Sequence, residues 1–308
     1  MRQKFDASKI RSARMPRACF QMVKYHSKEY PNDIPLGICE LATHFDIDKI
    51  AVYGENYSLH TEYSYGKRNF SSVALRGLDE IINSNRGGVP QLWKNKKWAE
   101  QFAEFVIRMS STNCAPSVIE IHPPFSDYVK DIMSFVAVYS EFEKIIADEF
   151  SQTDIFIENR CGSVYKGGRF VISKFDDIYK LSEAIDEQNL RLSIALDIPQ
   201  LFTAHNFIND NAENCVKLLS RIMPIRHNIS CVHLWGKRRA QSGRTVAHCG
   251  DLKSYFDNDI IIINKFLDEF VRLFSDGIIR KLVLEVNSSN KDLMSIIYDL
   301  EKAGVNFV

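Results

Sequence analysis

The sequence lacks a long hydrophobic run, a signal-peptide core and any paired-cysteine motif. Its densest apolar run, Ile260 to Ile263, is far too short to span a bilayer, and the charged residues 1–18 contain no apolar stretch of signal-peptide length. The seven cysteines are odd in number and include no CxxC pair, which argues against a disulfide framework or a zinc ribbon. We therefore expect a cytoplasmic protein with no membrane partner.

The sequence also lacks an excess of charge of either sign. Lysine and arginine together number 39, as do aspartate and glutamate, so no global basic field attracts nucleic acid or an anionic membrane. The glycine-containing stretch NRGGVP, at 85–90, has neither the GxGxxG spacing nor the preceding strand of a dinucleotide site. We expect a turn there, and any polyanion must be bound by a local patch.

Strand-like and helix-like segments alternate along the chain. The 3.6-residue periodicity predicts helices over 95–111, 127–149, 175–188, 211–223, 260–275 and 291–303. In the less regular first third, we predict strands at 15–23, at 48–55 and from Tyr57, and a helix at 35–45. Strand and helix alternation implies parallel pairing, and 308 residues with 45% hydrophobic content fit one large barrel. We predict an α/β fold, a (β/α)8 TIM barrel, with 1–308 as a single domain.

Five predicted strands end on residue types that bind metals. SVIEIH ends at His122, IFIE at Glu158, SIALD at Asp197, CVH at His233 and LVLE at Glu285. The carboxyl ends of parallel barrel strands open on one face, so these side chains converge there. One such residue after a strand is usually a loop hydrogen-bonding group, whereas five in one chain favour a metal site. The mixed carboxylate and imidazole set suits zinc, manganese, cobalt or iron better than calcium.

His60 extends this set. With His122 it provides nitrogen ligands for a second ion. Ions paired about 3.5 to 4 Å apart are the usual device for attacking phosphodiesters.

The ordered series of motifs resembles the endonuclease IV-like branch of the xylose isomerase-like TIM barrels (AP endonuclease family 2), over most of the chain. SLHTEYSYG is similar to the family's strand-end histidine with aromatic residues after it, and EIHPPF to its HPG motif. IFIENRCGS is similar to the strand with the bridging glutamate, LDIPQLFTAH to Asp-x-x-His, VHLWGKRR to the strand histidine with its polar loop, and LVLEVN to the last glutamate.

The resemblance implies a metal-dependent phosphodiester hydrolase that acts on abasic-site DNA or a related nucleotide, as in DNA repair. It implies that His60 and His122 bind one ion, that Glu158 bridges, and that Asp197, His233 and Glu285 complete a second site. In that family a bridging hydroxide attacks the phosphorus, with two metals stabilising charge. The catalytic carboxylates are then Glu158 and Glu285. We expect one or two divalent ions, zinc first, with manganese, iron or cobalt as alternatives.

Two positions depart from the family pattern. Gln200 stands where Asp-x-x-His has its histidine, and Val246-Ala247-His248 stands where the family has Asp-x-His. A third metal would keep His248 alone among its three protein ligands, unless His205 joins it. We therefore expect no more than two ions, and we assign Gln200 to substrate binding.

Two other functions fit the same residues. Glu158, Asp197, His233 and Glu285 are also the ligands that the related ketose epimerases and hydroxypyruvate isomerases place around one manganese, cobalt or magnesium ion. The histidines at 60 and 122 would then bind substrate hydroxyls. A non-catalytic binding barrel with a degraded metal site is the third possibility, and Gln200 with Val246 motivates it.

A basic loop follows His233. GKRRAQSGR contains Lys237, Arg238, Arg239 and Arg244, and we predict that these residues bind phosphate, either of DNA or of a phosphorylated small molecule. The alternative is a solvated surface loop. Aromatic residues near the ligands, Tyr65 among them, are candidates for stacking on a base or a sugar ring.

Overall fold

Eight parallel strands close into a barrel. This computed structural model describes residues 17–26, 28–50, 56–63, 65–110, 114–166, 168–209 and 211–308. The barrel strands are β1 (Cys19–Lys24), β2 (Leu36–Ala42), β3 (Tyr57–His60), β4 (Val118–Ile121), β5 (Asp154–Glu158), β6 (Leu192–Asp197), β7 (Ile229–Leu234) and β8 (Arg280–Leu284). Each strand pairs with the next one in the chain, and β8 pairs with β1. The predicted single-domain TIM barrel is confirmed.

Helices surround the barrel. They are α1 (Asp79–Asn83), α2 (Lys96–Ser110), α3 (Ile132–Glu149), α4 (Phe175–Gln188), α5 (Ile198–Ala204), α6 (Ala212–Ser220), α7 (Leu252–Tyr255), α8 (Ile260–Phe274) and α9 (Asn290–Ala303). Local sequence sets their ends. The Ser289 hydroxyl accepts the N–H of Asp292 at the start of α9, and Gly304 ends that helix at a φ of 102°, which glycine adopts without steric cost. None of the helices in the described ranges is long and apolar enough to cross a membrane.

Aromatic side chains fill the space between the strands and the helices α2 and α3. Trp93, Trp98, Phe102 and Phe142 are buried to 1% exposure or less. The Trp93 ring lies 5.3 Å from that of Phe102 and 5.4 Å from that of Phe142. Interlocked aromatic packing of this kind makes the outer layer of the barrel rigid.

The inward-facing side chains of the strands form two layers. Val118, Phe156, Ala195, Cys231 and Val283 belong to one apolar cluster inside the barrel. Each precedes a polar residue by two positions: Glu120, Glu158, Asp197, His233 and Glu285. Residues two apart on a strand face the same side. A polar layer therefore lies directly above the apolar one, at the carboxyl ends of the strands.

Several predicted elements differ from the structure. The helix predicted at 35–45 is wrong, because this segment forms β2, which pairs with β1 and β3. Of the strand predicted at 48–55, residues 51–55 lie outside the described ranges, and 48–50 form no strand. The helix predicted over 127–149 begins at Ile132, where the Asp131 side chain caps it. The one predicted over 211–223 ends at Ser220, and a short 3-10 helix that contains Pro224 follows.

Candidate metal centre

A cavity of about 490 Å³ opens at the carboxyl ends of the barrel strands. His60 and Glu158 line it from the last residues of β3 and β5, and Glu285 lines it from the position directly after β8. Tyr65 and Gln200 line it as well. The position is the one where TIM barrels place their active sites.

Six of the predicted ligands come together in this region. Three overlapping groups have ligand atoms within 4.8 Å of one another: His60, Glu120, His122 and Glu158; Glu120, Cys231 and His233; and Glu158, Asp197, His233 and Glu285. The first and third groups share Glu158. The strand ends thus converge as the sequence predicts.

The first group joins β3, β4 and β5. His122 Nε2 lies 2.8 Å from Glu158 Oε2, and His60 Nε2 lies 3.5 Å from Glu120 Oε1. The two imidazole rings are 4.6 Å apart between centroids. His122 Nδ1 is 3.2 Å from the carbonyl oxygen of Glu62. This contact fixes the orientation of the ring, and Nε2, which faces Glu158, is the nitrogen that would bind a metal.

The third group joins β5, β6, β7 and β8. His233 Nδ1 lies 3.4 Å from Glu285 Oε1. Asp197 is held from two sides: its Oδ2 accepts from Trp235 Nε1 at 2.8 Å and from Gln200 Nε2 at 2.9 Å, and its Oδ1 accepts from the Gln200 N–H at 2.7 Å. These bonds fix the direction in which the carboxylate faces.

Unpaired buried atoms test whether a metal ion fits these residues. Glu120 Oε1, His233 Nδ1, His248 Nδ1 and Glu285 Oε2 are buried and make no hydrogen bond within the described part of the chain, although each lies 3.3 to 3.5 Å from an ionisable side chain of the site. An unpaired buried polar atom costs about 1 to 3 kcal/mol. Nitrogen and carboxylate oxygen atoms are the donors that zinc, manganese and iron prefer. The third group and its neighbour His248 therefore fit a divalent cation.

Glu158 is bound differently. Its Oε2 accepts from Arg160 Nη1 at 2.8 Å as well as facing His122, and its Oε1 accepts from Gln200 Nε2. Both oxygens already have partners in the chain. An ion at Glu158 must therefore share this carboxylate with a guanidinium and an amide.

Electrostatics shift the pKa values of two carboxylates of the cluster in opposite directions. Burial raises the pKa of Glu158, but the guanidinium of Arg160 and the hydrogen bond from His122 outweigh it and hold that pKa well below its usual range. Burial, with the negative charges of Glu158 and Glu285, raises the pKa of Asp197 from 3.8 to about 7. Ionised carboxylates are the form that binds metals, so affinity for an ion should rise with pH through the neutral range.

Three buried polar residues of the site were not among the predicted ligands. Glu40 on β2 lines the cavity at 3% exposure, Glu120 on β4 is 2% exposed, and Arg160 follows β5 at 9% exposure. The signal for the two glutamates is an acidic residue inside an apolar strand run, in GICELA and in SVIEIH. Such a residue must either face a polar cavity or disrupt the core.

The residues considered for a third ion separate in the structure. His248 lines the cavity, with Nδ1 3.3 Å from Glu285 Oε2 and its ring stacked on Trp235 at 4.3 Å. His205 instead accepts the N–H of Phe175 at 3.2 Å and packs against that ring. His248 therefore belongs with Glu285, and His205 is occupied elsewhere.

The predicted phosphate-binding loop is a β-hairpin, Lys237–Arg239 paired with Thr245–Ala247. Lys237 Nζ lies 4.2 Å from the Tyr255 ring centroid, and Arg238 pairs with Asp292. Arg239 and Arg244 are exposed. None of these four cations belongs to the cavity lining; the hairpin region contributes Ala247 and His248 to it.

Burial and neighbouring carboxylates disfavour the ionised form of Glu40 and outweigh the positive charge of His233. Burial, and then the charges of Glu285 and Glu120, raise its pKa well above 4.5. A carboxyl with a raised folded-state pKa makes the protein less stable as pH rises above the unfolded-state value. Glu40→Gln should thus stabilise the metal-free protein by about 1 to 2 kcal/mol at pH 8 and by less at pH 5. Urea unfolding at both pH values measures this difference.

The matched control for Glu40 is Glu100→Gln, since Glu100 is exposed on α2. The control should change the free energy of unfolding by less than about 0.5 kcal/mol at either pH. A destabilising Glu40→Gln that shows no dependence on pH would contradict the electrostatic account of this position.

The fold and the ligand groups define the chain as a TIM barrel with a candidate metal-binding centre. The sequence matches no family model and no curated protein at a significant level. Solved structures similar to it include the crystal structure of AsfvAP:AG, with 12% identity over 80% of this chain and 74% of that chain and a TM-score of 0.46. A GH5-4 broad specificity endoglucanase from an uncultured bacterium shows 12% identity over 81% and 80%, with a TM-score of 0.30.

Proposed function

We propose that the protein is a metal-dependent phosphodiester hydrolase whose substrate is abasic-site DNA or a related nucleotide. The observation that supports this most strongly is the pair of ligand groups that meet at Glu158. Two adjoining sites that share a carboxylate suit paired divalent ions, and such pairs are the common solution for phosphodiester cleavage. We propose zinc as the metal, with manganese, iron or cobalt as alternatives, and the cytoplasm as the location.

The proposed metal ligands lie on two sides of Glu158. His60 and His122 supply nitrogen donors on one side of Glu158, and Asp197, His233 and Glu285 supply donors on the other. Divalent ions held there supply Lewis-acid chemistry, in which a phosphoryl oxygen is polarised and the pKa of water falls.

Neighbouring groups orient these ligands and the substrate. Trp235 and Gln200 hold Asp197 in place, and contacts of this kind commonly change metal affinity 10- to 100-fold. The exposed cations Arg239 and Arg244 on the hairpin are suited to phosphates that lie beyond the cavity.

Elemental analysis of protein purified without chelator or affinity nickel tests this proposal. We expect two ions per chain, together with cleavage of an oligonucleotide that contains one abasic site. A chelator should abolish cleavage, and zinc or manganese should restore it. Glu158→Gln should lower both the metal affinity and the cleavage rate by roughly 100-fold, and with them the metal content, since it alters the shared ligand.

The control for Glu158 is Glu183→Gln, at an exposed position of α4, which should leave metal content and cleavage unchanged. The proposal fails if the protein binds no metal under any loading condition. It also fails if Glu158→Gln behaves like the control.

A single-metal sugar isomerase or epimerase is the second candidate. Two observations favour it: Glu158 is already bound by Arg160 and Gln200, and the pKa of Asp197 near 7 suits a group that carries protons. One ion per chain, no cleavage of abasic DNA and interconversion of ketose sugars would select this function over the first.

A further inference from the structure

A buried arginine lines the cavity beside the ligand groups. Arg160 is 9% exposed and belongs to the cavity lining. Its Nη1 donates to Glu158 Oε2 at 2.8 Å, and its guanidinium lies 5.4 Å from the Phe170 ring centroid. The aromatic contact and the ion pair fix the plane of the guanidinium at the cavity wall.

Much of the hydrogen-bonding capacity of this guanidinium is unused. Arginine carries five N–H donors. Arg160 Nε is buried without a hydrogen-bond partner. Within the described part of the chain, the guanidinium donates through Nη1, to Glu158. Burying unpaired donors of a permanent cation is costly. Nη2 makes no hydrogen bond to a described residue and is not one of the buried unpaired atoms, so it is the donor that a ligand in the cavity reaches first.

The charge of Arg160 is also unfavourable for metal binding alone. The guanidinium competes with a metal ion for the same oxygen of Glu158. A cation in this position weakens the site for a second cation, because the two positive charges repel each other. The hairpin cations lie outside the cavity lining, and among the described residues that line the cavity Arg160 is the one arginine or lysine.

We propose that Arg160 binds an oxyanion of the substrate, a phosphoryl group, through the donors that Glu158 does not use. The planar guanidinium matches two oxygens of such a group at once. The inference rests on the proposed function and adds to it the residue that holds the anionic part of the substrate. In this role Arg160 favours an anionic substrate over a neutral sugar, because a neutral sugar has no charge that can pair with the guanidinium.

Calorimetric titration with inorganic phosphate tests this role. Metal-loaded and chelator-treated protein are both titrated, and the metal content of each sample is measured. We expect Arg160→Gln to weaken phosphate binding at least tenfold with metal content unchanged or higher. Arg160→Lys keeps the charge but lacks the planar guanidinium. Its phosphate affinity should lie between that of the wild type and that of Arg160→Gln. A purely structural role would not give this order at constant metal content.

Arg86→Gln is the matched control, since Arg86 is exposed and pairs with Asp127 on the surface. It should leave the phosphate affinity within about twofold of wild type. Comparing 4-nitrophenyl phosphate with bis(4-nitrophenyl) phosphate as competitors then shows whether a monoester or a diester binds better. Competition by either compound that is lost in Arg160→Gln supports the proposal.

The inference is wrong if neither metal-loaded nor chelator-treated wild-type protein binds phosphate, or if Arg160→Gln binds phosphate as tightly as the wild type. It is also wrong if the phosphate affinity of Arg160→Gln falls only because the variant has lost metal. Weaker binding in Arg244→Gln, with Arg160→Gln unaffected, would move the anion site to the hairpin and overturn it as well. The proposed function fails separately, through absent metal. Phosphate binding by chelator-treated protein that disappears in Arg160→Gln would still support the role of Arg160.

Discussion

Replacing Asp276 with asparagine should lower the free energy of unfolding by about 3 to 5 kcal/mol. The side chain of Arg280 on β8 is fully buried, and its Nη1 and Nη2 donate to Asp276 at 2.8 and 2.7 Å. Its other donors bond the carbonyl oxygens of Ile229 and Arg226, each at 2.9 Å. Asparagine keeps the shape but leaves the guanidinium without a counter-charge, and such a buried charge is far costlier than a lost surface ion pair.

The pH dependence of this effect separates charge from packing. Burial raises the pKa of Asp276, but the hydrogen bond and the charge of Arg280 outweigh it and hold that pKa below 3.8. A carboxyl with a depressed folded-state pKa stabilises the protein above its unfolded-state value and loses this contribution as pH falls through the folded-state value. The difference between wild type and Asp276→Asn should therefore be full at pH 6 and shrink below about pH 4.

Urea unfolding across this pH range measures the difference, with Asp268→Asn as the control at an exposed position of α8. The control should change stability by less than about 0.5 kcal/mol. A loss in Asp276→Asn that stays constant down to pH 3 would mean that packing, and not the ion pair, accounts for it.

The alternation of two periodicities explains why the barrel could be predicted from sequence. Strands β4 to β8 are short apolar runs, and a segment with 3.6-residue spacing follows most of them. Both signals are local. β2 is different, because the apolar residues of LGICELA have spacings that a helix also allows. Its pairing with β1 and β3, to which long loops connect it, makes the segment a strand, and local sequence does not show this pairing.

The candidate site was predictable where a ligand ends its strand. His122, Glu158 and Glu285 stand at the point where an apolar run stops, so their exposure to a common face follows from the fold class. Glu40 and Glu120 lie inside their strands, and whether such a residue faces the barrel interior depends on the register. Arg160 lies in a loop, and its contact with Glu158 depends on loop geometry that no periodicity encodes.

Glu285→Gln should weaken divalent metal binding by roughly 100-fold. The two oxygens of Glu285 face imidazole nitrogens on either side, His233 Nδ1 at 3.4 Å and His248 Nδ1 at 3.3 Å. Glutamine preserves the volume, removes the charge and puts an N–H donor where an ion needs an oxygen. Competition with a chromophoric zinc chelator measures the affinity, and Glu301→Gln on the exposed face of α9 should leave it unchanged.

The outcome for Glu285 also decides between the ligand groups. Loss of one ion from two, with the other retained, would locate the lost ion at the group formed by Asp197, His233 and Glu285 and leave the other at His60 and His122. Loss of a single ion from a protein that holds one would favour the isomerase or epimerase. Unchanged affinity would remove Glu285 from the metal site, because a direct ligand cannot lose its charge without an effect of at least the size known for indirect ones.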